Sequence, residues 1–587
     1  MAITEQSGHE TPLLEDKVVV DGSVDYKGRP VHRYNSGGWR SATFIIGVEV
    51  AERFAYYGIE SNLITFLTGP LGQSTATAAE NVNAWSGTAS LLPLLGGLLA
   101  DSLLGRYRTI LFASSIYISC LHTREPGYLV KIGLQNCNSN TANERDIGLG
   151  LLTLSALLPT NCKTMENNSS CSPSLLQVFV FFFSLYLVAL GQGGHKPCVQ
   201  AFGADQFDGK DPEESKAKSS FFNWWYFSMG AGIIVTLLVL TYIQDNIGWG
   251  FGFGIPCLVM AAALLIFLAG TKTYRYSIKV EEKSVFLRTG RVLVATVRNW
   301  RVTTPTLPAF KEEASGMLTC QSSGQFKFLN KALYGSEGFK CSLREVEEAK
   351  SVLRLVPIWA SCLAYAVVSA QPATHFTKQG VTMDRSISPT FQVPAASLQC
   401  FSSISIITSI AIYDRLFVPL ARRITQIPSG ITLLQRIGTG MFLATLSMMI
   451  AALVEIMRLK TAKDYGLVDT PNATIPMSVW RLIPQNVLFG VSEAFTMVGL
   501  QEFFYDQVPA ELRSVGLSLY LSIFGVGSFL SSFLISGIQK ATGDTWFADN
   551  LNRAHLDYFY WLLTGLSLAM FIVFLYFAKC YIYSRTV

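Results

Sequence analysis

Residues 44–58 read Phe44-Ile-Ile-Gly-Val-Glu49-Val-Ala-Glu52-Arg53-Phe-Ala-Tyr56-Tyr57-Gly58, and an apolar run follows as far as Leu67. Three charged side chains therefore lie inside a stretch long and apolar enough to cross a membrane. On a helix, Glu49 neighbours both Glu52 and Arg53, because residues three and four apart share a face. A charge at the centre of a bilayer costs roughly 2.5–3.5 kcal/mol, so such a group needs partners or a wet cavity. The stretch predicts a functional cluster in which a crowded carboxylate takes up a proton. The other interpretation is a structural ion pair between packed helices.

The composition of the whole chain is that of a membrane protein with many spans. Of 587 residues, 50% are hydrophobic and only 15% charged, against about 25% charged in soluble domains. The net charge of +5 comes without a basic tract, which argues against nucleic acid as a partner. The eleven cysteines include no CxxC pair, so a metal or redox motif is not indicated, although Cys162 and Cys171 could pair. No Ser/His/Asp constellation indicates an enzyme.

The apolar windows predict an all-α protein, since a span needs roughly 20 mostly apolar residues. Eleven windows meet this test: 42–68, 82–104, 175–200, 220–243, 248–270, 347–370, 396–417, 430–457, 479–505, 513–537 and 557–582. A polar, basic stretch at 271–346 divides the spans into two sets, and its segment around 285–300 is amphipathic enough to lie on a membrane surface. The excess of Lys and Arg there and beside other spans predicts that both termini are cytoplasmic.

The expected organisation is a cytoplasmic tail (1–40), an N-terminal bundle (41–270), a central loop (271–346), a C-terminal bundle (347–582) and a short tail (583–587). Three glycosylation sequons fall in loops that this topology places outside. Their acceptors are Asn167, Asn168 and Asn472.

The third span is interrupted. Residues 107–119 and 147–159 are both apolar, yet each is about half a span long. Residues 120–146 between them carry seven His, Lys, Arg, Asp or Glu side chains and show no apolar period. The hypothesis is that 120–146 is an insertion into helix three, such as translated intron sequence. A re-entrant loop lining a cavity and a long loop between half-helices are the alternatives.

Several motifs resemble those of one transporter family. The segment from Gly97 through Asp101 to Gly105-Arg106 is similar to the GxxxDxxxGR motif of major facilitators. The first-helix stretch resembles the ExxER motif of proton-coupled oligopeptide transporters. Residues 194–208 (GHKPCVQAFGADQFD) and 503–514 (FFYDQVPAELRS) resemble two further signatures of that family, while 413–415, 434–438 and 326–332 resemble its plant nitrate/peptide branch. The resemblance covers about residues 30–582, apart from the suspected insertion.

The resemblance implies a major facilitator fold of 12 transmembrane helices in two six-helix bundles. It also implies roles for individual residues. The proton-coupling group is Glu49, Glu52, Arg53 and Lys196, with Lys196 paired to the glutamates. The substrate-binding group is Tyr56, Tyr57, Lys196, Trp359, Gln371 and Glu493. The conformational group is Asp101, Gly105 and Arg106. Ser369 stands where the resemblance would put a nitrate-binding histidine, and His375 lies six residues further on, so that particular nitrate site is absent.

The predicted function is proton-coupled symport of small nitrogenous solutes, namely nitrate, di- or tripeptides or related organic anions, by alternating access in a plant plasma or vacuolar membrane. Protons are the coupling ion and no other cofactor or metal is expected. The expected partners are the small solute and the lipid bilayer, with the protein a monomer or weak homodimer. The alternatives are a transport-inactive sensor or scaffold, because helix three is interrupted, and an ion channel, for which no filter-like repeat is visible.

Overall fold

The computed structural model describes sixteen stretches of the chain. They are residues 23–33, 35–100, 104–119, 151–157, 161–165, 168–208, 211–277, 285–300, 326–334, 341–389, 391–426, 430–471, 473–508, 513–543, 545–581 and 583. Of the residues singled out above, Asp101, Asn167, Asn472 and the suspected insertion lie outside them.

The architecture is helical, as predicted. The helices of the N-terminal part are α1 (Gly38–Glu60), α2 (Leu63–Thr68), α3 (Thr75–Leu99), α4 (Arg106–Ser119), α5 (Leu151–Leu157), α6 (Leu175–Ala204), α7 (Pro212–Val235), α8 (Thr241–Asn246) and α9 (Trp249–Ala269). After the connecting helix α10 (Val285–Arg298), the C-terminal part contains α11 (Leu343–Ser361), α12 (Leu363–Ser369), α13 (Thr377–Val381), α14 (Gln399–Ile412), α15 (Val418–Thr425), α16 (Leu433–Asp464), α17 (Ile483–Asp506), α18 (Arg513–Thr542) and α19 (Leu556–Cys580). Single π turns at Thr236–Leu240, Pro372–Phe376 and Tyr413–Phe417 join helices that follow one another.

Within the described stretches, eight helical segments are long and apolar enough to cross a membrane, and the bent pair α11 and α12–α13 raises the number to nine. The chain is therefore an integral membrane protein. Helix α1 is not among the eight, and the buried charged residues Glu49, Glu52 and Arg53 lie in its middle.

Strands are confined to short pairs outside the helices. The pairs are β1 (Ser23–Val24) with β4 (Tyr276–Ser277), β2 (Asn161–Met165) with β3 (Asn168–Ser172), β5 (Met383–Asp384) with β8 (Ile475–Ser478), and β6 (Ser386–Ser388) with β7 (Phe391–Gln392). Only β5 and β8 run parallel. In the β2–β3 hairpin the backbone of Cys162 lies opposite that of Cys171, so the suggested pairing stays a prediction with a compatible register.

The two halves of the predicted third span pack against the same neighbouring helices. Helices α4 and α5 contain 14 and 7 residues, and both pack against α6 and α9. At 1.5 Å per residue, their combined length is about 31 Å, which is the thickness of the hydrocarbon core of a bilayer. The shared neighbours fit the interpretation that residues between them interrupt a single span.

Glycine residues let α3 approach α6 and α18 closely. A side chain at Gly96 of α3 would lie 2.0 Å from the carbonyl oxygen of Gly193 on α6, and one at Gly87 would meet the Gly525 carbonyl on α18 at 3.0 Å. Small residues at such crossings allow backbones to pack in membranes. Helix α3 is thereby held between α6 of the N-terminal part and α18 of the C-terminal part.

Hydrogen bonds join the two parts of the chain at the end where α1 stops and α3 begins. Thr75 N donates to Asp549 Oδ1 at 3.0 Å, Lys378 Nζ to Thr68 Oγ1 at 3.0 Å, and Gln399 Nε2 to the Ser61 carbonyl at 3.0 Å. These bonds connect the parts across α2 and the start of α3, so this end of the molecule is tied together.

The connecting helix α10 is amphipathic, as predicted, but protein covers part of its apolar face. Val292 and Ala295 are buried in a small core with Leu329 and Val346. Part of the apolar surface thus serves to dock α10 on α11, while Val297 remains exposed.

Candidate functional site

The charged residues of α1 form a buried cluster within one helix. Arg53 Nε and Nη2 both lie 2.8 Å from Glu49 Oε1, and Arg53 Nε lies 3.4 Å from Glu52 Oε2. The exposed fractions of Glu49, Glu52 and Arg53 are 3%, 0% and 8%. One guanidinium therefore lies between two carboxylates, an arrangement with one negative charge in excess when all three are ionised.

The two carboxylates are far from fully bonded. Of their four oxygens, only Glu49 Oε1 accepts a hydrogen bond from the described residues; Glu49 Oε2 and both oxygens of Glu52 are buried without a donor. Leaving a buried carboxylate oxygen unbonded is costly, and adding a proton removes the charge. The cluster is therefore chemically suited to bind and release a proton, and more than an internal ion pair.

Helix α6 brings two more ionisable residues to this cluster. Its close contact with α3 at Gly193 precedes His195 and Lys196, and Pro197 follows inside the helix. His195 is fully buried, whereas Lys196 is partly accessible. One ring nitrogen of His195 and one carboxylate oxygen each of Glu49 and Glu52 lie within 4.8 Å of one another.

The structure revises the expected pairing of Lys196. Among the described residues, no carboxylate lies within 4.0 Å of its ammonium group, and Arg53 takes the two first-helix carboxylates instead. Lys196 remains within electrostatic reach of Glu52, Glu60 and Glu49. It is thus a partly accessible cation without a direct partner, which leaves it available to an anionic ligand.

The same face of α1 carries a second acidic position that the sequence reasoning missed. Glu49, Arg53, Tyr56 and Glu60 follow one another in steps of four, three and four residues. Glu60 therefore continues one face of the helix. Tyr56 and Ser86 both donate to Glu60 Oε1, each at 2.9 Å. In the described part of the chain Glu60 Oε2 has no donor, and the residue is partly accessible. This helical spacing was the signal that could have found it.

The aromatic residues hold this face in place. Tyr56 is buried and stacks on Trp85 with ring centroids 5.3 Å apart, while Tyr57 meets Tyr56 edge to face at 5.4 Å and is partly accessible. Of the two tyrosines predicted to bind substrate, Tyr57 therefore offers accessible surface, and Tyr56 fixes Glu60.

The C-terminal part contributes Glu493 from α17. Glu493 is partly accessible, has no hydrogen bond to a described residue, and lies within electrostatic reach of Glu60 and Tyr57. Acidic groups of both parts of the chain, Glu60 and Glu493, therefore lie within electrostatic reach of each other.

The other predicted substrate residues make hydrogen bonds within the C-terminal part, and their substrate role stays a prediction. Gln371 is fully buried, donates to the Val367 carbonyl at 2.9 Å and bonds His375 Nδ1 at 2.8 Å, so its polar atoms are used inside the C-terminal part. Trp359 Nε1 donates to Ser522 Oγ at 2.8 Å, between α11 and α18. The hydroxyl of Ser369 donates to the Ala366 carbonyl at 2.8 Å.

The predicted conformational motif lies at the start of α4. Gly105 has a φ of +80°, a conformation that favours glycine, and its N–H bonds the Ala100 carbonyl at 2.9 Å. Arg106 forms an ion pair with Asp205 just beyond the end of α6. Asp205, next to the end of α6, is thus one partner of Arg106, whereas Asp101 lies outside the described residues. Asn168 lies in β3, and its glycosylation remains a prediction.

A divalent cation is a poor fit to the cluster. Glu49, Glu52 and His195 are close enough together to hold one, but Arg53 already supplies the positive charge beside both carboxylates. A metal would have to displace or repel that guanidinium. The charge of the group therefore suits a proton better than a divalent cation.

Apolar helices long enough to cross a membrane, with buried carboxylates and a lysine that has no direct partner among the described residues, are typical of a membrane transporter. The model of the POT family matches residues 146–551, and the chain belongs to this family. Among curated proteins of Arabidopsis thaliana, NRT1/PTR FAMILY 5.10 is 62% identical, covering 98% of this chain and 97% of its own length. NRT1/PTR FAMILY 5.12 is 53% identical, covering 98% of each chain. The resemblance seen in the sequence is thereby confirmed.

Solved structures agree on the fold. An auto-inhibited POT family peptide transporter is 20% identical with a TM-score of 0.67, over 93% of this chain and 98% of its own. The family match begins at residue 146, where the suspected insertion ends.

Proposed function

We propose that this protein is a proton-coupled symporter that moves a small nitrogenous solute by alternating access. The observation that carries the proposal is the cluster of Glu49, Glu52 and Arg53, whose three unbonded carboxylate oxygens lie beside the unpaired Lys196. A carrier of this kind needs a proton site and a solute site that affect each other electrostatically, and Lys196 is within reach of both carboxylates.

The proton and the solute are coupled through charge. When Glu49 and Glu52 are ionised, their single excess negative charge attracts Lys196. A proton on either carboxylate removes that excess and releases Lys196 to an anionic group of the solute. Loss of the proton on the other side of the membrane restores the attraction and expels the solute. Because the groups interact, their titration belongs to the cluster as a whole.

The accessible charges favour a solute that carries both signs. Lys196 offers a cation for a carboxylate, while Glu60 and Glu493 offer anions for an ammonium group. A di- or tripeptide satisfies all of these groups, whereas nitrate would leave the two carboxylates unpaired. We therefore propose a zwitterionic solute of peptide size, with nitrate as the competing candidate.

Alternating access places the moving boundary between the two parts of the chain. The bonds from Thr75, Thr68 and Ser61 to the C-terminal part tie one end together. With the N terminus cytoplasmic, that end is the outer one, so we interpret this conformation as closed to the outside. Opening it requires those bonds to break.

The test is current in oocytes at acid external pH, with alanylalanine and nitrate applied separately to cells whose surface expression is confirmed. Saturable inward current with the dipeptide supports the proposal, and current with nitrate alone would replace the zwitterion by a simple anion. Absence of current with both solutes, in protein shown to be at the surface, would favour a sensor or scaffold.

A further inference from the structure

His195 is an unusual histidine in this fold. Its side chain is fully buried, and neither ring nitrogen has a hydrogen-bond partner among the described residues. Buried polar groups are nearly always bonded, because an unpaired one costs about 1–3 kcal/mol. His375, which is also fully buried, bonds Gln371 with its Nδ1. The ring of His195, with no partner among the described residues, is therefore unusual for a buried polar group.

The surroundings of His195 are ionisable. A ring nitrogen lies within 4.8 Å of an oxygen of Glu49 and of Glu52, and Arg53 and Glu49 both act on the ring electrostatically. Lys196 is the next residue on the same helix. Other helices that pack on α6 also carry ionisable groups, although among the described side chains only Glu49 and Arg53 act electrostatically on the ring of His195. The groups on these other helices are Glu80 on α3, Arg106, Tyr107, Arg108 and Tyr117 on α4, and Glu213, Glu214, Lys216, Lys218 and Tyr226 on α7.

We propose that His195 is a third member of the proton-binding cluster and shares the coupling proton with Glu49 and Glu52. This inference rests on the proposed function. In the transfer, the O–H bond of the protonated carboxyl breaks and an N–H bond forms on the free imidazole nitrogen. The carboxylate returns to its ion pair with Arg53, and the imidazole becomes an imidazolium.

The charge count explains what the histidine adds. With both glutamates ionised, Arg53 balances one carboxylate and the second lacks a counterion. An imidazolium at His195 balances the second, which is the role Lys196 would otherwise serve. Protonated His195 therefore frees Lys196 for the solute without leaving a buried carboxylate uncompensated.

The test compares His195→Gln with the matched variant His375→Gln in proteoliposomes loaded with alanylalanine or nitrate. Uphill accumulation driven by a proton gradient is measured beside counterflow, an exchange that requires no net proton movement. We expect His195→Gln to lose about tenfold in accumulation at unchanged counterflow, with a flattened pH profile, and His375→Gln to retain both. Wild-type accumulation and pH profile in His195→Gln would overturn the inference.

A second readout needs no transport, so it separates this inference from the proposed function. In purified protein labelled with ¹⁵N-histidine, the ring signal lost in His195→Gln is assigned to His195. We expect this signal to change with pH and its titration to shift in Glu52→Gln. A ring that stays neutral and is unaffected by Glu52→Gln would contradict shared protonation, even if the wild type moves neither solute.

Discussion

Arg53 and Glu49 face each other across one turn of α1, with two guanidinium nitrogens 2.8 Å from the same carboxylate oxygen. The pair leaves Glu49 Oε2 buried and unbonded, and Glu52 has no hydrogen bond to a described residue. An ion pair built only for stability would satisfy more of these atoms. The incomplete bonding is the observation behind the proposal that the cluster exchanges a proton.

Lys196 should be needed for proton-driven uptake. Lys196→Ala should reduce proton-driven uptake by about two orders of magnitude, because the solute loses its cationic partner and the cluster loses its electrostatic link to the solute site. Uptake of alanylalanine or nitrate against pH measures this, with the exposed Lys460→Ala as control. Normal pH-dependent uptake by Lys196→Ala at normal surface expression would contradict the mechanism.

Glu60 should determine which solutes are accepted. Glu60→Gln retains the shape and an acceptor for Tyr56 and Ser86 but removes the negative charge. We expect the apparent affinity for a dipeptide to fall by about tenfold, a loss of about 1.4 kcal/mol, with a smaller effect on nitrate. Competition assays with the two solutes measure the ratio. Ser86→Ala, which removes one donor and keeps the charge, should fall between Glu60→Gln and wild type.

An unchanged solute ratio in Glu60→Gln would show that this carboxylate does not meet the solute. The peptide preference would then depend on Glu493 and Lys196 alone.

A buried ion pair on α16 should contribute to the stability of the fold. Arg458 and Glu455 are fully buried on α16 and form two bonds of 2.8 and 2.5 Å, while Gln379 donates to the same carboxylate. Arg458→Ala should lower the free energy of unfolding by about 3–5 kcal/mol, because it strands a buried charge. Thermal unfolding of purified protein measures the loss.

The matched control is Arg553→Ala, since Arg553 and Asp469 form an exposed pair with side chains 61% and 73% accessible. Its effect should stay below about 1 kcal/mol. Equal destabilisation by Arg458→Ala and Arg553→Ala would contradict the expected difference between the buried and the exposed ion pair. Replacing both members, as in Glu455→Leu with Arg458→Met, should recover part of the loss because no buried charge is then left unpaired.

The sequence predicted the helical architecture and the first-helix cluster because both follow from periodicity and from the cost of burying charge. Glu49, Glu52 and Arg53 lie as close together as their spacing requires. The sequence could not predict whether the two glutamates pair with Arg53 or with Lys196. The distance between Lys196 and the glutamates depends on how α6 packs against α1. His195 went unassigned for the same reason, since its proximity to Glu52 arises from helix packing. The substrate role of Gln371 stays a prediction; its hydrogen bond to His375 depends on rotamers that helical spacing alone could not decide.

Removing residues 120–146 should leave a folded carrier. Helices α4 and α5 already pack on the same two helices, and joining their flanks restores a span of ordinary length. We expect the deletion variant to reach the membrane and to transport at least as well as the full chain. Surface labelling and uptake measure this, and loss of folded protein on deletion, with the full chain active, would contradict the insertion hypothesis.

The most direct test of the proton-coupled mechanism is Glu52→Gln, measured by counterflow and by gradient-driven accumulation in the same proteoliposomes, with Glu80→Gln on α3 as control. We expect Glu52→Gln to exchange solute at the wild-type rate but no longer to accumulate it against its gradient. Uphill accumulation by Glu52→Gln equal to that of the wild type would show that the first-helix cluster does not carry the coupling proton.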